Sequence, residues 1–209
     1  MKVLLINGSP KEKGCTAVAL SEFATELKAQ GITTENYWIG TKPISGCVSC
    51  GFCAKTKSGK CAIDDQVNVF LKKSEEFDGF VFGSPVYFAG PNSSLTAFMD
   101  RVFYVGRNTI FPHKPACAVV SNRRAGSSAS LDRLNKYFTI SQMPVVSSRY
   151  WNGIHGNTPD EARQDLEGLQ IMRYLAKNMA WLLKCISAGK EKGILPPVLD
   201  KQIKTNYIR

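Results

Sequence analysis

Four cysteines carry the densest chemistry in this chain. They follow the pattern Cys47-x2-Cys50-x2-Cys53-x7-Cys61, while Cys15, Cys117 and Cys185 lie apart. Thiolates are soft ligands, and spacers this short let one loop present all four to a single centre. A [4Fe–4S] cubane is one reading of Cys47, Cys50, Cys53 and Cys61. Zinc also accepts four cysteines, but structural zinc sites use two separated pairs. A loop without metal is the third reading, because softness permits a cluster without requiring one. Gly46, Gly51 and Gly59 supply the bends such a loop needs. Seven cysteines are an odd number, and no secretion signal is visible. Both argue against a disulfide framework and for a cytoplasmic protein.

The second chemical segment is Gly8-Ser9-Pro10-Lys11-Glu12-Lys13-Gly14-Cys15-Thr16. It joins a strand-like run to a helix-like one. Ser9 and Thr16 offer hydroxyls, Lys11 and Lys13 offer cations, and the start of a helix offers free N–H groups and a positive dipole end. The chemistry expected is phosphate binding. The segment lacks the Gly-x-x-x-x-Gly-Lys-Ser/Thr pattern of nucleotide triphosphatases. It also lacks the Gly-x-Gly-x-x-Gly of dinucleotide folds.

The elements that position these residues alternate. The run Lys2 to Ile6 ends at Gly8-Ser9-Pro10 and reads as a buried parallel strand. Ala17, Leu20, Phe23, Ala24 and Leu27 recur at helical spacing over 16–30, with Gly31 placed to end the helix. Thr33 to Ile39 reads as a second strand, and residues 42–61 as a long cysteine-rich loop. A helix is expected over 65–76, a strand over 79–83 and a helix over 94–105 with Leu95, Phe98, Met99 and Val102 on one face. A strand over 115–121, a helix over 128–138, a fifth strand over 144–147 and one long helix over 159–188 complete the pattern. Residues 193–209 read as a tail packed on the surface. Such alternation implies an α/β fold with a parallel sheet between helices. Five strands fit a flavodoxin-like three-layer sandwich with a five-stranded parallel sheet, in one domain spanning 1–209. Ligands of such sheets bind beyond the carboxyl ends of the strands.

The formal net charge is +10, but the basic residues form no dense block. A basic surface attracts anionic cofactors and substrates. No nucleic-acid-binding signature accompanies it, so no nucleic-acid partner is expected. No stretch approaches the roughly 18 apolar residues of a membrane span, so no membrane role is expected either. His113 and His155 are the only histidines. Neither sits in a Cys/His or Ser/His pattern, and no acid–base role is assigned to them.

Val3 to Lys11 followed by Gly14-Cys15-Thr16 resembles the phosphate loop of the NADPH-dependent FMN reductase family. Relatives usually carry Asn or Ser where this chain has Cys15. Gly83 to Gly90 resembles the segment that holds the flavin ring in that family, and Ser121 to Gly126 stands where a third flavin loop is expected. Tyr150 to Gly156, with Asp165 to Gly168, resembles a segment of its iron–sulfur flavoprotein-like branch, as does the cysteine spacing. The resemblance implies FMN as cofactor. The phosphate would be held by Ser9, Lys11, Cys15 and Thr16, and the ring by Pro85, Val86, Tyr87 and Phe88. Ser121, Arg123 and Gly126 would close the site. It implies hydride transfer from NAD(P)H to a small acceptor such as a quinone, nitro compound or flavin. The alternative it implies is an electron carrier reduced by ferredoxin through a [4Fe–4S] cluster beside the flavin. Relatives are commonly homodimers or homotetramers.

Overall fold

The computed structural model describes residues 1–198, 200, 203 and 205–207. The elements in chain order are β1 (Lys2–Asn7), α1 (Cys15–Ala29), β2 (Thr33–Trp38), α2 (Phe52–Thr56), α3 (Gln66–Ser74), β3 (Gly79–Tyr87) and β4 (Gly90–Pro91). They continue with α4 (Ser93–Gly106), β5 (Ala116–Asn122), α5 (Ser127–Ile140), β6 (Gly153–His155), α6 (Pro159–Gln164) and α7 (Leu166–Glu191). The sheet runs β2-β1-β3-β5-β6 with every pairing parallel, and β4 folds back antiparallel on β3. This is the flavodoxin-like order.

Alternation along the strands builds two cores. Val3, Leu5, Val81, Cys117 and Val119 meet α1, α6 and α7 on one face. Leu4, Ile6, Phe80, Phe82, Ala118 and Val120 meet α3, α4 and α5 on the other. Both faces of the central strands are covered, so those strands are apolar throughout. β2 lies at the edge, and its Thr33, Glu35 and Asn36 are exposed.

Three expectations are corrected. The segment expected as the fifth strand over 144–147 makes only an isolated parallel bridge, Ala116 to Val145. The paired fifth strand is Gly153–His155, against Val120 to Asn122. Between the two contacts the chain leaves the sheet. Asn152 repairs the gap, its buried Nδ2 donating to Ala118 O at 3.0 Å, while its own carbonyl accepts from Val120 N at 2.9 Å. The long helix expected over 159–188 is two helices divided at Asp165. The Asp165 carboxylate accepts from Gly168 N at 2.9 Å and from His155 N at 2.7 Å, which starts α7 and ties it to β6. The strand expected over 79–83 runs on through Ser84-Pro85 to Tyr87. In the tail, Ile194, Leu195, Val198, Ile203 and Tyr207 are exposed, while Pro197 and Asp200 border a cavity with Arg107, Pro112, His113 and Ile140. The rest of that segment includes residues outside the described set.

Asn152→Ala removes the only side chain that bridges the gap and leaves Ala118 O buried. The expected loss is about 1–3 kcal/mol in urea denaturation of the cofactor-free protein. An unchanged midpoint contradicts this role.

Candidate functional site

The carboxyl ends of β1, β3 and β5 lie side by side, and the three loops expected to bind a ligand converge there. Asn7, buried at the end of β1, shapes the first. Its Oδ1 accepts from Ser9 N at 3.0 Å and its Nδ2 donates to Glu12 O at 2.9 Å. Ser9 Oγ accepts from Lys11 N at 3.1 Å. From β2, Trp38 Nε1 donates to Ser9 O at 2.8 Å and pins the loop from the side. α1 then starts at Gly14 with no side-chain cap. The Cys15 and Thr16 amides at its start have no intrahelical acceptor and lie at the open edge. A Cβ at Gly14 would come within 3.1 Å of Lys11 Cβ and 3.5 Å of Ser9 Oγ, so glycine keeps the cradle open. Lys11 and Lys13 are exposed beside it.

Thr16 and Cys15 are committed differently. Thr16 is buried and its Oγ1 lies 2.8 Å from Ser121 Oγ, so these two hydroxyls satisfy each other. Only the Thr16 backbone faces the cradle as an N–H of the first turn. Cys15 Sγ donates to Gly156 O at 3.6 Å and joins the loop to the turn after β6. Burial pushes its thiol up from the ordinary value, so it is a neutral donor here.

The second loop is a hairpin. Tyr87 pairs with Gly90, and Phe88 and Ala89 between them both have positive φ, 51° and 59°. Two such residues match a type I′ turn, and neither is glycine. L-residues resist this region by about 1–2 kcal/mol each. Pro85 and Val86 are half-buried, Tyr87 is exposed, and Phe88 is fully exposed at the tip. The third loop locks onto this hairpin. Gly126 has φ 93°, and a Cβ there would lie 2.6 Å from Ala89 Cα and 2.8 Å from Val86 Cγ1. Arg123 and Arg124 are exposed on its outer side.

Asn122, at the end of β5 between these loops, is the residue that sequence reading passed over. It is 5% exposed, and neither its Oδ1 nor its Nδ2 finds a hydrogen-bond partner in the chain. A buried, unpaired amide costs roughly 1–3 kcal/mol for each group left unsatisfied. Its presence at the end of a buried strand, beyond Ser121, was the available signal.

The cysteines lie elsewhere along the same side of the sheet. Cys47, Cys50, Cys53 and Cys61 line one small cavity of about 20 Å³, closed by Arg101, Tyr104 and Val105 of α4. Cys53 lies on α2, a short helix inside the expected loop. Among the described residues, no three His, Cys, Asp or Glu side chains are grouped to hold a metal ion. The donor set therefore suits a cluster in kind, and the loop must rearrange to bring the four thiols onto one centre. The cavity meets α4 eight to twelve residues beyond its start, roughly 12–18 Å along the axis.

Arg101 explains that placement. Its side chain is fully buried, and it donates to both Asp65 oxygens, at 2.6 and 2.9 Å. Burial works against the charge of each partner. The mutual hydrogen bonds outweigh it, holding the Asp65 carboxyl below its usual range and the arginine above its own.

The sequence profile described as NADPH-dependent FMN reductase matches residues 1–158. The chain belongs to this family. An iron–sulfur flavoprotein of Methanocaldococcus jannaschii is 33% identical over 196 residues, spanning 89% of this chain and 99% of that protein. An iron–sulfur flavoprotein of Archaeoglobus fulgidus is 29% identical over 224 residues, spanning 93% of this chain and 100% of the relative. The fold is shared with RosB, at a TM-score of 0.69 and 14% identity over 100% of this chain and 94% of that one.

Asn122→Leu removes the two unpaired atoms. The cofactor-free variant is expected to be as stable as wild type, or more stable by about 1 kcal/mol. A loss above that, read by urea denaturation, would show that the amide has a structural duty. Gly126→Val places a branched side chain against Ala89 and is expected to loosen the hairpin, read as faster proteolysis at residues 85–91.

Proposed function

We propose that this protein is an FMN-dependent oxidoreductase whose cofactor lies across the carboxyl ends of β1, β3 and β5. The observation that carries the reading is the buried, partnerless amide of Asn122 beside an uncapped helix start. The amide asks for a hydrogen-bonding occupant and the helix start for an anionic group, both at the carboxyl edge of the sheet. The amides of Cys15 and Thr16, the Ser9 hydroxyl and the Lys11 cation hold its phosphate. Charge-assisted hydrogen bonds of this kind are about twice as strong as neutral ones. Pro85, Val86, Tyr87 and Phe88 receive the ring, with apolar and aromatic faces against it and backbone groups at its polar rim. Ser121 holds Thr16 in place, Gly126 closes the third loop onto the hairpin, and Arg123 adds charge at the mouth. Asn122 bonds a polar atom of the flavin.

Bound FMN supplies hydride acceptance at N5 and onward delivery of electrons. The family description, NADPH-dependent FMN reductase, is consistent with NAD(P)H as the hydride source. The acceptor on this reading is a small molecule such as a quinone, nitro compound or flavin. A second reading has its own observation. Cys47, Cys50, Cys53 and Cys61 line one cavity, and relatives spanning nearly the whole chain are named iron–sulfur flavoproteins. On that reading the four thiolates hold a [4Fe–4S] cluster that relays electrons between a ferredoxin-like carrier and the flavin. The fully exposed Phe88 supports a homodimer or homotetramer in which a second copy covers the ring segment.

Three measurements test these statements. Mass spectrometry of the released cofactor should find FMN, and riboflavin should bind at least about 100-fold more weakly, the equivalent of one to two lost charge-assisted bonds. Recovery of FAD, or of no flavin after reconstitution, overturns the reading. Anaerobic mixing with NADPH or NADH should bleach the flavin within the dead time of turnover. Bleaching by reduced ferredoxin alone transfers the assignment to the second reading.

A further inference from the structure

A buried arginine needs a reason. Arg101 is 1% exposed, and its neighbours along α4 at helical spacing, Phe98 and Val105, pack into apolar surroundings. An apolar residue there would serve the core, because a buried ion pair is seldom worth more than well-packed hydrophobic side chains. What the arginine does instead is visible in its partners. Nε donates to Cys61 Sγ at 3.3 Å, and one arm of the fork donates to Ser45 O at 3.5 Å and Asp65 Oδ2 at 2.6 Å. The other arm donates to Ile63 O at 2.8 Å and Asp65 Oδ1 at 2.9 Å. Ser45 lies just before the first cysteine of the motif. Cys61, Ile63 and Asp65 close it. One guanidinium therefore grips both ends of the cysteine segment.

We propose that Arg101 is the positioning residue of the cysteine motif: it clamps the loop on α4 and fixes Cys61 Sγ by an N–H···S hydrogen bond. The inference rests on the cluster reading for the use the clamp is put to, but not for the clamp itself. The three other cysteines have no such anchor. Cys47 and Cys50 are exposed, and Cys53 rides on the five-residue helix α2. Cys61 is thus the preformed corner, and the others swing in to it. Asn68 supports the same corner. Its Oδ1 accepts from Cys61 N at 2.7 Å and its Nδ2 donates to Cys61 O at 3.1 Å. The Asp65 carboxylate, which also caps α3 through Val67 N at 3.0 Å, orients the guanidinium by a bidentate contact that lysine cannot reproduce. Hydrogen bonds to cluster sulfurs stabilise the electron-rich reduced form, so the Nε–H donor raises the potential of a cluster bound there.

The test uses FMN-loaded full-length protein in wild-type, Arg101→Met and Arg101→Lys forms. Trypsin cleavage at Lys55, Lys57 and Lys60, before any iron is added, reads the clamp. Iron content and midpoint potential after anaerobic reconstitution read the positioning. Arg101→Met should cleave faster than wild type and lose about 10- to 100-fold in iron affinity, the usual cost of removing a partner of a metal ligand. Arg101→Lys keeps the charge but loses the fork and the Nε–H donor. It should bind iron at a lower potential than wild type, a shift that loop stability alone does not produce. If the Met variant does not fold, the Lys variant decides. Wild-type cleavage together with wild-type iron affinity and potential in a folded variant overturns the proposal. Absence of iron in wild type overturns the cluster reading instead, and the clamp then stands or falls on the cleavage rates.

Discussion

The parallel register of β3 with its neighbours is the constraint on which the rest depends. It sets Asn7 opposite Gly83, Gly83 opposite Val119, and Pro85 opposite Ser121, and β5 in turn sets Asn122 opposite His155. These pairings bring the ends of four strands to one edge, with β1 ending in register with Val119 and β5 running three residues further. A slip of one residue would turn every side chain to the other face. Both faces of β1, β3 and β5 are apolar, so it is side-chain shape that opposes the slip: Phe80 and Phe82 fill one face, and the smaller Val81, Cys117 and Val119 fill the other. The core therefore fixes the site, although no core side chain needs to touch a ligand.

The edge divides its polar groups into two kinds. Most are already satisfied by the chain. Asn7 is spent on the first loop, Thr16 and Ser121 on each other, and Ser84 Oγ on Asn92 N at 2.9 Å. A few are left over: the Asn122 amide, the Cys15 and Thr16 amides at the start of α1 and the Lys11 and Arg123 cations. The chain thus builds rigid walls from the first kind and leaves the second for an occupant. The cysteine segment is governed separately. The ion pair of buried Arg101 with half-buried Asp65 ties it to α4, which begins just after the ring segment and meets the cysteine cavity two to three turns further on.

Much of this was legible in the sequence. Three of the four long parallel strands, β1, β3 and β5, announced themselves as apolar runs, although β3 continues through Ser84-Pro85 to Tyr87, and α1 and α4 announced themselves as periodic stripes. The fifth strand was misplaced because its pairing is interrupted. The run at 144–147 has the right composition, yet the hydrogen bonds resume at Gly153 only after Asn152 bridges the gap, and that is a tertiary event. The break at Asp165 left a visible trace, an Asp three residues before Gly168, inside an otherwise continuous helical pattern. Arg101 was invisible for a different reason. An arginine on an amphipathic helix normally faces water. Only the folded loop reveals that five acceptors wait for it. The roles of Thr16 and Cys15 were also beyond reach, because their partners Ser121 and Gly156 lie 105 and 141 residues away.

Hydrogen–deuterium exchange with and without FMN tests the central claim most directly. If the flavin lies across the carboxyl edge, its binding should slow exchange in three separate stretches: residues 8–18, 84–92 and 122–127. The amino-terminal ends of the same strands, residues 2–4 and 115–117, should exchange as before. Protection spread evenly over the chain, or confined to the surface around residues 42–61, would contradict the placement of the cofactor at this edge.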